Sequence, residues 1–132
     1  MKFLLLETGE STISFDFDDT LCMTSSGDNS PNQAVIESLQ EHAASGKKCI
    51  IITARDPEHE DDDWIARHQP SRIKVAEFVS RHKLPVEKIV FANHEPKGPI
   101  CKRHGVLMHY DDKQCELDSC QSCGVTAVKV KN

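Results

Sequence analysis

The stretch "SFDFDDTL", Ser14 to Leu21, decides how this chain is read. Its first half has the look of a buried strand. Its second half sets the carboxylates of Asp16, Asp18 and Asp19 and the hydroxyl of Thr20 at the end of that strand. Clustered carboxylates are costly to bury unless a cation shares their pocket. The run therefore implies a compensating charge, such as a metal ion.

Outward from this run, "KFLLLE" and "TISFDFD" are predicted strands separated by the turn-like "TGES". The second is apolar on both faces at its start, as in a covered parallel sheet. After Leu21 the polar "CMTSSGDNS" is irregular. In "SPNQAVIESLQEHAASG", Ser30 can cap a helix, Pro31 suits its first position and Gln33 completes a capping box. Val35, Ile36, Leu39 and Ala43 give that helix one apolar face, and Gly46 is its stop signal. "KKCIIITA" reads as a buried strand. In "RDPEHEDDDWIARHQ", Asp56 and Pro57 can open a helix whose acidic first turns suit the positive end of its dipole. A further helix from Ser71 to His82 turns Val75, Phe78 and Val79 inward. Then come a strand in "KIVFAN", a short helix in "KGPICKRHG", a strand in "VLMHYDD", a helix in "KQCELDSCQSCG" and a strand in "VTAVKV". This alternation predicts an α/β fold spanning residues 1–132 as a single domain. Its core is one open, mainly parallel sheet with helices on both faces.

The bulk properties agree with a globular domain. The chain has 132 residues, 38% of them hydrophobic and 28% charged, with a formal net charge of −5. That charge does not indicate general attraction to nucleic acid or to an anionic membrane. The apolar run in "MKFLLLETGE" is shorter than a signal-peptide core and far shorter than a membrane span, so a cytoplasmic protein is expected. Without a secretory signal, Cys22, Cys49, Cys101, Cys115, Cys120 and Cys123 are expected to be free thiols. Cys120-x-x-Cys123, with Cys115 nearby, suggests zinc, but no second tight pair of ligands accompanies it.

On this layout Asp16, Thr53, Asn93 and Asp111 all fall at or just past the carboxyl ends of predicted strands, the edge where open α/β sheets bind ligands. The order of signals is Asp16-x-Asp18-x-Thr20, then Thr53 in "IITAR", Lys97 opening a helix, and Asp111-Asp112 in "HYDD". Taken together and in this order, from about Thr12 to Val130, they resemble the four motifs of the haloacid-dehalogenase-like superfamily of phosphatases. The segments between motifs have room for a short flap and a few helices, so the chain looks like a minimal, capless member.

The resemblance implies a phosphomonoester hydrolase in which Asp16 forms an aspartyl-phosphate. It implies Asp18 as general acid and base, and Thr53 and Lys97 as phosphate ligands. Mg²⁺ would be held by Asp16, the backbone carbonyl of Asp18, and Asp111, with Asp112 as another ligand or supporting partner. Thr20 orients the loop by hydrogen bonding. The chemistry is sound on its own terms. A carboxylate is ionised at neutral pH and nucleophilic, but it attacks an anionic ester, so a hard dication with oxygen ligands is needed to offset the repulsion. Asp18 must hold a proton when the alcohol departs, so its pKa is expected to be raised. Lys97 also stands at a helix start, whose free amides favour anions.

Arg55, directly after "TA", is similar to the arginine that contacts phosphate in the phosphatase half of polynucleotide kinase-phosphatases. Trp64 in "DDDWIARH" fits that group loosely. Against this, Glu58, Glu60, Asp61, Asp62 and Asp63 would repel a polyanion. The plainer account makes them a solvated helix start with Trp64 as its core contact. His94, just before Lys97, could touch a leaving group, and His109 is expected to pack in or on the sheet. Cys22 follows the nucleophile loop and would be oxidant-sensitive if it formed a thiolate.

An open, capless site suits a phosphate on a macromolecular end, or a small molecule in a homo-oligomer whose neighbour covers the site. Two readings compete with a general phosphatase. One is a polynucleotide 3′-phosphatase. The other is a non-hydrolytic signalling module that only holds phosphate or metal, for which Asp18 has no use.

Overall fold

The computed structural model describes residues 11–131. The strand expected in "KFLLLE" lies outside the described residues. In chain order the strands are β1 (Thr12–Phe15), β2 (Cys22–Met23), β3 (Ser30–Pro31), β4 (Lys48–Thr53), β5 (Ile89–Phe91), β6 (Val106–Asp111) and β7 (Thr126–Lys129). The helices are α1 (Gln33–Ala44), α2 (Asp62–His68), α3 (Val75–Arg81), α4 (Lys97–Arg103) and α5 (Gln114–Ser122).

Five strands pair in parallel in the order β5-β4-β1-β6-β7, giving the open sheet expected from the alternating pattern. Alternate residues of each strand face opposite sides. Ile13, Phe15, Cys49 and Ile51 pack with Val35, Ile36 and Leu39 of α1 and Phe78 of α3. On the other face, Ile50 and Ile52 meet Ile100 and Cys101 of α4 and Cys120 of α5. Helices therefore cover both faces, and the Ile-rich β4, buried along most of its length, lies inside the sheet between β5 and β1.

The chain runs from β1 out to β4 and β5, then returns to the far side of β1 as β6 and β7. The direction of winding reverses between β1 and β6, and a crevice opens there at the carboxyl ends of the strands. Asp16 leaves the end of β1 and Asp111 ends β6, so the two aspartates flank it.

Two expectations are corrected. Ser30 and Pro31 do not begin α1. They pair antiparallel with Met23 and Cys22 as a small flap, and Asn32 takes the N-cap position without a side-chain hydrogen bond. The flap interposes because Asn32 N–H bonds back to the Leu21 carbonyl, tying the loop before the helix can start. The acidic helix also breaks in two. Asp56 and Pro57 open a 3₁₀ turn over Pro57–Glu60, and α2 starts afresh with Asp61 accepting the Trp64 N–H. Among the described residues, the flap, the 3₁₀ turn and α2 are what the chain adds to the sheet and its covering helices, and no separate cap unit is present.

Candidate active site

The backbone turns sharply after β1. Thr20, Leu21 and Cys22 all direct their N–H groups at the Phe17 carbonyl, and Asp19 adopts φ 61°. This turn leaves Asp16 buried and lifts Asp18 toward the surface. Lys97 Nζ donates to Asp16 Oδ1 at 2.7 Å and to Asp111 Oδ2 at 2.9 Å. The Thr20 hydroxyl donates to the other oxygen of Asp16 at 3.0 Å, a hydrogen bond within the loop that follows β1. Asp16, Asp111 and Asp112 each bring a carboxylate oxygen within 4.8 Å of the others.

Three carboxyl groups converge beside one ammonium, and their oxygens are a donor set that a hard dication fits by ligand type. The side chain of Asp18 is not part of that group.

The charges perturb one another. Burial, reinforced by Asp111, raises the pKa of Asp16 to about 7 against the pull of Lys97. Burial opposes the charged form of Lys97, but the charges of Asp16 and Asp111 prevail and hold it protonated. Burial also works against ionised Asp111, yet hydrogen bonds and charge from His109 and Lys97 keep its carboxyl well below the usual range. Asp112 is raised, mainly by burial.

Asp18 departs from expectation. Burial raises its pKa, but Arg55 outweighs burial, with help from Thr24 and Arg72, and the net shift is downward. Arg55 Nε and Nη2 donate to its two oxygens at 3.0 and 2.8 Å. The Thr24 hydroxyl from the flap adds a bond of 2.7 Å. The guanidinium of Arg55, expected to reach phosphate, is engaged inside the protein: its Nη1 also serves Glu60 and the Ile73 carbonyl. Thr53 is buried at the end of β4, its hydroxyl accepting the Arg55 N–H at 3.3 Å.

Helix α4 does not offer open amides. The Lys97 N–H donates to Glu116 and the Gly98 N–H to Ser119, both from α5. The expected anion site at that helix start is thus occupied by protein acceptors, and Lys97 reaches Asp16 and Asp111 through its side chain.

The acidic run is more than a solvated face. Glu60 binds Arg55 and the Val75 N–H, and Asp62 pairs with Lys74. Trp64 is not a core contact. Its ring lies 4.8 Å from His68 in a stack and 4.5 Å from His59, with Arg72 nearby at 5.9 Å. His94 and Trp64 share with Asp18 a cleft of about 380 Å³ that Arg55, Arg72 and Lys113 also line. Cys22 is buried, which pushes its thiol pKa up and disfavours a thiolate. Cys115 is exposed and Cys120 buried, the latter with its sulfur 4.0 Å from Cys101.

The residue that sequence reasoning undervalued is His109, which bonds Asp111 and Ser14 from full burial. A signal was present: His109 and Asp111 are two apart on one strand, so they share a face.

Comparison with solved structures bears on the fold. The chain superposes on a component of the structure of the Pnkp1/Rnl/Hen1 RNA repair complex with TM-score 0.65 at 14% identity, over 98% of this chain and 45% of that one. A second structure of the Pnkp1/Rnl/Hen1 complex gives TM-score 0.63 at 15% identity, over 92% and 46%. A HAD-superfamily hydrolase, subfamily IA, from Geobacter sulfurreducens PCA gives TM-score 0.53 at 10% identity, over 92% and 87%. The fold is that of the haloacid-dehalogenase-like hydrolases. The chain spans less than half the length of the RNA repair components it superposes on. No family model and no curated protein matches the sequence. Among the described residues no helix is long and apolar enough to cross a membrane.

Proposed function

We propose that residues 1–132 form a single cytoplasmic domain that hydrolyses phosphomonoesters with Mg²⁺. The observation that carries this reading is the convergence of Asp16, Lys97, Asp111 and Asp112 in the crevice between β1 and β6. Asp16, Asp111 and Asp112 would hold the metal through their side chains, and Asp18 through its backbone carbonyl. When bound, Mg²⁺ offsets the repulsion between the Asp16 carboxylate and the phosphoryl oxygens.

In the first step an oxygen of Asp16 attacks phosphorus and the bond to the leaving oxygen breaks. Asp18 passes its proton to that oxygen. In the second step Asp18 takes a proton from water, which attacks phosphorus and releases Asp16. Lys97 and Thr53 hold the phosphoryl group. Thr20, bonded to Asp16 Oδ2, keeps the nucleophile in a single rotamer.

Asp18 can carry a proton only when it leaves Arg55. An arriving phosphate dianion competes for that guanidinium, and exchange would both fix the phosphate and free Asp18 to be protonated. This reconciles the expected phosphate role of Arg55 with its observed grip on Asp18.

A specific substrate version is favoured by the cleft at Asp18. Its cations Arg55, Arg72 and Lys113 and the ring of Trp64 suit a phosphorylated nucleic-acid end, which binds by charge and base stacking. The fold similarity to components of RNA repair complexes supports the same version.

The test is phosphate release with and without Mg²⁺. The panel includes p-nitrophenyl phosphate, nucleotides, sugar phosphates and 3′-phosphorylated oligonucleotides, with Asp16→Asn as control. Mg²⁺-dependent release that the variant lacks is expected. A stable Asp16-linked phosphate without turnover would replace hydrolysis by a signalling role.

A further inference from the structure

His109 is fully buried in the second core, beside Cys101, on a strand position where a parallel sheet ordinarily places Val or Ile. A buried imidazole is tolerated only if both nitrogens are bonded. Here both are. Nδ1 lies 2.6 Å from the Ser14 hydroxyl, and Nε2 lies 2.8 Å from Asp111 Oδ2. An ionised carboxylate only accepts, so Nε2 carries the hydrogen whichever charge the ring bears.

The bonds close a ring. Ser14 and Asp16 are two residues apart on the β1 side; His109 and Asp111 are two apart on β6. Lys97 bridges the two aspartates above, and His109 bridges Asp111 to Ser14 below. Lys97 is shared between two carboxylates and would follow either of them. The Lys113 N–H reaches Asp111 Oδ1 at 3.1 Å from an adjacent loop. Among the described residues, His109 is a side-chain donor to Asp111 that, unlike Lys97, is not shared with Asp16.

We infer that His109 is a positioning residue for metal binding: its Nε2–H, held by Ser14, fixes the rotamer of Asp111 and so presents Oδ1 to the cation. The inference rests on the hydrolase reading above. Ligand-orienting partners of this kind change metal affinity about ten- to a hundredfold when removed.

The test compares His109→Gln, which keeps an amide N–H near the Nε2 position, with His109→Asn, whose amide reaches Ser14 but falls short of Asp111. Mn²⁺ binding is read by electron paramagnetic resonance on the full chain, with Asp111→Asn as the site control and circular dichroism reporting the fold. The expected result is a loss of Mn²⁺ affinity of about ten- to a hundredfold in His109→Asn, with His109→Gln close to the parent. Phosphate release at saturating metal should then be largely restored in His109→Asn. Equal Mn²⁺ affinity in folded His109→Asn and parent overturns the inference and leaves the hydrolase reading intact. Absence of any Mn²⁺ binding that Asp111→Asn abolishes overturns both.

If His109→Asn does not fold, the ¹⁵N-imidazole spectrum of the parent decides. The Nε2 proton resonance of His109 must shift on Mg²⁺ addition and stay fixed in Asp111→Asn. No shift in the parent overturns the inference.

Discussion

Arg55 grips Asp18 through a two-pronged ion pair, Nε to Oδ2 at 3.0 Å and Nη2 to Oδ1 at 2.8 Å, while itself almost fully buried. The grip stabilises ionised Asp18, so removing it must raise the Asp18 pKa. If Asp18 is the general acid, its protonated form then persists to higher pH. The alkaline limb of the kcat/KM profile of Arg55→Gln should therefore move upward relative to the parent. Arg55→Lys keeps the charge but not the fork, and should lose activity on the order of a hundredfold through misplacement of Asp18. A limb that stays in place in Arg55→Gln would remove Asp18 from the acid role.

Asp16 makes stability depend on pH in a direction opposite to the usual aspartate. Its pKa is raised from 3.8 to about 7, so the native state binds more protons than the unfolded chain between those values. The stability it contributes is fully present below the unfolded pKa and is lost as pH rises through the folded one. In EDTA the melting temperature should therefore carry a component that falls from pH 4 to pH 7. Asp16→Asn should lack that component. Mg²⁺ should weaken it, by binding the ionised form. Asp18 and Asp111, whose pKa values are lowered, act in a separate window: their contribution is present above the unfolded value and fades under stronger acid.

The parallel sheet, its alternating helices and the gathering of Asp16, Lys97 and Asp111 at one sheet edge were legible because each rests on local pattern: apolar runs, caps, and polar residues just past strand ends. What escaped depends on distance in sequence. Nothing local to Asp18 announces that Arg55, from another strand end, would lower rather than raise its pKa. Likewise the start of α4 resembles an anion site until α5 supplies Glu116 and Ser119 to its amides. The flap displaced a well-formed capping signal at Ser30, because pairing Ser30 with Met23 satisfied its backbone instead.

Gly98 is where the site depends on helix packing. A Cβ there would meet the Ser119 carbonyl oxygen at 2.2 Å, so α4 and α5 would have to part. Overpacking of this kind costs about 1–3 kcal/mol. Gly98→Ala should lower the melting temperature, and it should also impair activity, because Lys97 is the preceding residue and its Nζ bridges Asp16 and Asp111. Thermal unfolding and phosphate release measured on the same preparation check both effects. Unchanged turnover in a destabilised Gly98→Ala would show that the position of Lys97 tolerates movement of its helix.

Trp64 distinguishes the substrate versions. It is the single tryptophan of the chain and shares the cleft with Asp18 and Arg72. A base stacked in that cleft would contribute about 1–3 kcal/mol, or roughly a five- to 150-fold change in affinity. Trp64→Ala should therefore raise KM for a 3′-phosphorylated oligonucleotide by that factor and leave KM for p-nitrophenyl phosphate nearly unchanged. Quenching of Trp64 fluorescence in Asp16→Asn, titrated with the same oligonucleotide, would report the contact without turnover. Equal KM changes for both substrates would mean that Trp64 only supports His59 and His68. The cleft would then serve a leaving group without a stacking ring.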